Sequence, residues 1–163
     1  MKSPSARRSG VTFVELLVVL AAMAVLAAVG FVRMGPAQAR AYAEEVRATV
    51  AAGRFEAIRR DAPVAVRWDA SDGAFLAQVG RPDRPCDGGE VVARADAATH
   101  AAVAVDTDLV GDAALVWLPS GTARGCDYAG FPERIATLDD GRTTVDVTVT
   151  LTGRVTVADA PAP

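Results

Sequence analysis

Polar and apolar positions divide the chain into three stretches. Residues 1–10 are polar and basic, and residues 11–32 read VTFVELLVVLAAMAVLAAVGFV with Glu15 as the single charge. As a helix that run measures about 33 Å, enough to cross a hydrocarbon core. Arginines ahead of such a span stay on the cytoplasmic side, which predicts a single pass with everything after Val32 outside. Helical periodicity continues through residues 33–62, loosened at Gly35-Pro36 because proline removes a donor and clashes with the preceding turn. Val46, Val50, Phe55 and Ile58 form its predicted domain-facing stripe. Arg33, Arg40, Arg47 and Arg54 recur every seven residues, near one helix face. That face is either solvated or carries charge contacts to a neighbouring subunit. Pro63 ends the helix.

From residue 64 the period changes to two. Strands are predicted at 64–68, 74–80, 90–95, 100–105, 113–118, 143–151 and 155–157. They are separated by a turn at 69–73, a Pro/Gly-rich loop at 81–89, Pro119-Ser120-Gly121, Asp140-Gly141 and Gly153-Arg154. Val145, Val147, Val149 and Leu151 alternate with polar residues and are expected to face one core. Residues 63–157 thus make one β-rich domain, and 158–163 a loose tail.

Composition sharpens the picture at two points. The net charge of -3 becomes -6 once Lys2, Arg7 and Arg8 leave with the first ten residues, so the overall field does not attract phosphate backbones. Cys86 and Cys126 stand in no metal-like spacing. In an exported domain such a pair forms a disulfide; the alternative is two buried thiols. Closing a loop of about 40 residues contributes about 4 kcal/mol on the chain-entropy argument.

Three readings fit the N-terminal segment. A secretory signal peptide has a basic start and small-residue sites such as Ala22-Met23-Ala24, but a shorter apolar region and no carboxylate at its start. A plain anchor fits the length and leaves Glu15 unexplained, since a carboxylate in a bilayer is expensive and marks function. In the third reading, Gly10-Val11-Thr12-Phe13-Val14-Glu15-Leu16 resembles the cleavage site of the type IV pilin and type II secretion pseudopilin superfamily. That resemblance implies cutting between Gly10 and Val11 by a prepilin peptidase and N-methylation of Val11. Glu15 then pairs with the new amine of a neighbouring subunit, so neither charge is buried alone. Val11 departs from the usual phenylalanine or methionine.

Further along, Glu56-Ala57-Ile58-Arg59-Arg60 before Pro63-Val64, the Leu118-Pro119-Ser120-Gly121 turn and Val149-Thr150-Leu151-Thr152-Gly153-Arg154-Val155 resemble the GspH/FimT branch of minor pilins. The resemblance implies an α+β fold: a long N-terminal helix, transmembrane in its first half, packed on an antiparallel β-sandwich-like domain. Its segments are a leader at 1–10, an assembly helix at 11–32, a second helical half at 33–62 and the globular domain at 63–157. It also implies an inner-membrane protein that joins other pilins or pseudopilins in a periplasmic or surface filament. Pilus and secretion pseudopilus share leader and fold, so either is implied. Some members bind DNA through a C-terminal Gly-Arg-x-Arg motif. Gly153-Arg154-Val155-Thr156 keeps the first arginine and loses the second, for which Arg142 is the possible substitute.

No enzyme, cofactor or metal is expected. His100 is the only histidine and reads as structural, and no nucleophile elbow or phosphate-cradling loop occurs. Asp69, Ser71 and Asp72 resemble a fragment of a calcium loop without its closing glutamate, and read as a turn. Asp106, Asp108, Asp139 and Asp140 read as surface loops.

Overall fold

A computed structural model describes residues 13–33, 38–110, 113–126 and 133–160. The chain forms two compact units, Met1–Pro36 and Ala37–Pro163. The first contains helix α1 (Phe13–Arg33). The second contains helix α2 (Gln38–Arg60) and, among the described residues, nine strands. These are β1 (Val64–Asp69), β2 (Ala74–Val79), β3 (Val91–Asp96), β4 (Ala104–Asp106), β5 (Leu115–Trp117), β6 (Ala123–Gly125), β7 (Arg134–Asp139), β8 (Thr144–Val149) and β9 (Val155–Asp159). They form two antiparallel sheets, ordered β3-β2-β1-β5-β6 and β4-β7-β8-β9.

Two expectations are corrected here. The single long N-terminal helix packed on a sandwich is instead two helices, with α1 in a unit of its own and α2 in the unit of the sheets. Gly35-Pro36 falls between them in sequence, where proline lacks a backbone donor and crowds the preceding turn of a helix. The single-pass inner-membrane placement is also corrected. No helix among the described residues is long and apolar enough to cross a membrane. Glu15 and Arg33 bracket the uncharged run of α1, residues 16–32, which is about 25 Å of helix against a core of about 30 Å.

α2 is the element on which both sheets rest. Its buried side chains are Ala39, Tyr42, Ala43, Val46, Thr49, Val50, Gly53 and Ala57, a stripe at spacings of three and four. They join Val64, Val66, Phe75, Leu115 and Trp117 of one sheet and Ile135, Leu138, Val145, Val147 and Val149 of the other in a single core. Small residues let the helix approach closely. A Cβ on Gly53 would stand 3.3 Å from both Trp117 and Val66. The predicted stripe was therefore half right: Val46 and Val50 are buried, whereas Phe55 and Ile58 are 65% and 52% exposed.

The strand prediction needs three further corrections. β6 and β7 were not anticipated, and the strand expected at 100–105 is shortened to β4 at 104–106, with His100 ending a 3-10 helix over 97–100. On β8 the alternation is as expected through Val149, but Leu151 lies beyond the strand in the β8–β9 turn and is exposed. Gly153 adopts φ 84° there, a conformation that glycine adopts without steric cost.

The two cysteines are bridged, with Cα atoms 5.8 Å apart. The bridge covers the face of the five-stranded sheet that α2 does not. Cys86, Cys126 and Leu118 pack there on Ala65, Ala114 and Val116, whose side chains alternate away from the main core.

Candidate assembly surfaces

Gly10 and Val11, the expected processing site, lie outside the described residues. Glu15 stands in the first turn of α1, where a carboxylate complements the positive end of the helix dipole. Every described side chain of α1, residues 13–24, is exposed. They include Phe13, Val14, Leu16, Leu17, Leu20 and Met23, with Phe13 73% accessible.

The heptad-spaced arginines do not act as one face. The Arg33 side chain lies outside the described set. Arg40 pairs with Asp159 of β9 at 3.0 Å, and Arg47 with Glu44 of its own helix at 2.6 Å. Arg54 turns onto its own domain: its Nη1 donates to the Gly153 carbonyl at 3.1 Å, and its guanidinium lies 5.7 Å from the centre of the Trp117 ring. Two of these arginines therefore tie α2 to β9 and to the β8–β9 turn.

Arg142 and Arg154 are not brought together. Both are exposed, Arg142 in the turn before β8 and Arg154 in the turn after it. β8 separates them by about 20 Å of extended chain. Arg142 cannot stand in for the missing second arginine beside Arg154, and this corrects the substitution considered from sequence.

The β7–β8 turn has a structural task instead. Asp140 accepts hydrogen bonds through Oδ1 from the Thr143 and Arg142 N–H groups, both at 2.9 Å, and through Oδ2 from the Ala39 N–H at 3.2 Å. It thereby caps the first turn of α2 from across the domain. These donors, the Thr143 N–H foremost and then Ala39, hold its carboxyl down to about 2 from an ordinary 3.8. Since the folded value lies below the unfolded one, the stabilisation is complete above pH about 4 and is lost as pH falls toward 2. Thermal melts of wild type and Asp140→Asn are expected to differ at pH 7 and to converge at pH 2. A constant gap across that range would remove Asp140 from the acid response.

The remaining polar candidates serve the fold. His100 Nε2 lies 3.1 Å from Glu45 Oε2, and the His100 ring stacks on Tyr42 at 5.0 Å. Burial, with Glu45 and Asp96 adding to it, pushes the Tyr42 hydroxyl up. Asp69 Oδ1 accepts from the Ser71 N–H and hydroxyl, at 2.9 and 2.6 Å, and closes the β1–β2 turn. Arg134 bridges Asp106 and Asp108. What sequence reading missed is the outward pair Phe55 and Ile58; their placement one turn apart, off the Val46/Val50 stripe, was the available signal.

Comparison with family models, with curated proteins and with solved structures yields no match to this chain.

Proposed function

We propose that the chain is a structural subunit of a filament of the type IV pilin kind, in a pilus or a secretion pseudopilus. A prepilin peptidase cuts it between Gly10 and Val11 and methylates the new terminus, and α1 then assembles with the helices of other pilins or pseudopilins. The observation that carries this reading is α1 itself. It is an apolar helix with exposed side chains and a carboxylate in its first turn, following a basic leader that ends in glycine. Hydrophobic surface of that extent is stabilised by cover from other chains. Glu15 is the natural partner for the amine of a neighbouring Val11.

Two substitutions test it. Gly10→Ala is expected to leave precursor of full mass. Glu15→Ala is expected to be cut normally but to reach the sheared filament fraction about a hundredfold less, because an unpartnered buried amine costs about 3 kcal/mol or more. Normal processing and normal incorporation of both variants would end the proposal. The DNA-binding alternative has weaker support, given an acidic mature chain and arginines at opposite ends of β8.

A further inference from the structure

We propose that Arg54 and the apolar side chains around it form a docking site for a different protein, which enters with a carboxylate flanked by apolar residues. The site begins with a cation that its own domain leaves unpaired. Arg54 is half-buried where α2 meets the β5–β6 and β8–β9 turns. A Cβ on Gly153 would stand 2.8 Å from its Cζ, and one on Gly121 3.4 Å from its Nε, so glycine in both turns makes room for the guanidinium. Nη1 donates to the Gly153 carbonyl, Nε is buried without a hydrogen-bond partner, and no carboxylate among the described residues pairs with the group. A charge taken this far out of water is costly until an anion answers it. The domain does not supply that anion. Neither turn carries an aspartate or glutamate; on α2, Arg59 and Arg60 hold Glu56, and Arg47 holds Glu44. Glu133 shares a hollow with Leu151 but pairs with neither Arg54 nor Arg154.

The surroundings of this cation are apolar. Ile58 Cδ1 reaches the same Gly121, 3.1 Å from where a Cβ on it would stand. Phe55 is three residues before Ile58, its neighbour on the helix face, and Leu151 is two residues before Gly153. All three side chains are exposed. Arg154, exposed and in no ion pair among the described residues, adds a second positive charge at the rim. An apolar ring that excludes water strengthens a charge-assisted hydrogen bond at its centre. The chain as a whole is acidic, so the positive field is local to this patch. An anionic bilayer would meet the whole repulsive field, whereas one acidic segment meets only the patch. A glutamate or aspartate between leucine or phenylalanine side chains supplies both complements. The site uses no residue of α1, so its failure would leave the assembly role of α1 untouched.

The test uses the full chain with a mild detergent covering α1, and detergent alone as the blank. The probe is a fluorescein-labelled amphipathic peptide with a leucine stripe bordered by glutamate, followed by fluorescence anisotropy. Saturable binding is expected, weakened about tenfold or more when the peptide's glutamates become glutamine. Phe55→Ser and Ile58→Ser, at exposed positions, are each expected to weaken it about tenfold. Arg54→Gln is expected to remove the preference between the two peptides, a change that loosening of the turns would not produce. Equal binding of both peptides by wild type would overturn the proposal, as would binding unchanged by Phe55→Ser. So would self-association in sedimentation velocity that Phe55→Ser abolishes, which would assign the patch to a second copy instead.

Discussion

Replacing Trp117 by alanine is expected to destabilise the domain by about 3–5 kcal/mol, read as a lower urea midpoint by far-UV circular dichroism. Trp117 is fully buried on β5, paired with Val64 of β1 and Ala123 of β6. Its ring lies beside Gly53 of α2, where a Cβ would stand 3.3 Å from it. Removing it opens a cavity that the helix cannot fill, because the adjoining α2 position has no side chain to move inward. Trp117→Phe is expected to cost much less than alanine. It keeps an aromatic ring and removes the indole N–H, which is buried with no protein hydrogen-bond partner among the described residues. Equal losses for phenylalanine and alanine would show that the indole edge, not ring volume, carries the site.

Removing the bridge, by Cys86→Ala with Cys126→Ala, is expected to lower stability by about 4 kcal/mol. Two effects point the same way. The loop of 40 residues is no longer closed in the unfolded chain. In the folded chain, the cover over Ala65 and Val116 is no longer clamped to the end of β6. Wild type in reductant is expected to fall to the level of the double variant, and the variant to ignore reductant. A loss below about 1 kcal/mol would mean that apolar cover alone holds that face.

What sequence disclosed, and what it hid, follows from how each element gains stability. β8 was legible because one face is buried and the other is not, which writes Val145, Val147 and Val149 at every second place. β7 was not: its pairing with β8 shifts register between Arg134 and Ala136, so Ile135 and Ala136 are both buried and the alternation is broken. β6 is three residues long and includes Arg124 and Gly125, too short to show a period. On α2, the sheet selected small residues such as Ala43, Gly53 and Ala57, whereas a hydropathy reading favours Phe55 and Ile58. Close approach, a tertiary demand, overrode bulk. The cysteine pair was legible as one of two options, and the geometry chose the bridge. The separation of Arg142 from Arg154 depended on strand direction, which motif matching does not encode.

The bridge also determines which breaks the molecule survives. β3, β4, β5 and β6 lie between the two cysteines, while α2, β1 and β2 precede them and β7, β8 and β9 follow. A protease that nicks the backbone anywhere inside residues 87–125 therefore leaves one covalent molecule, its two halves still joined through sulfur. The C-terminal half contributes β7, β8 and β9 to the four-stranded sheet that packs on α2, so it is held by its own fold as well as by the bond. Such damage would pass unseen on a non-reducing gel and separate into two bands only when thiol is added.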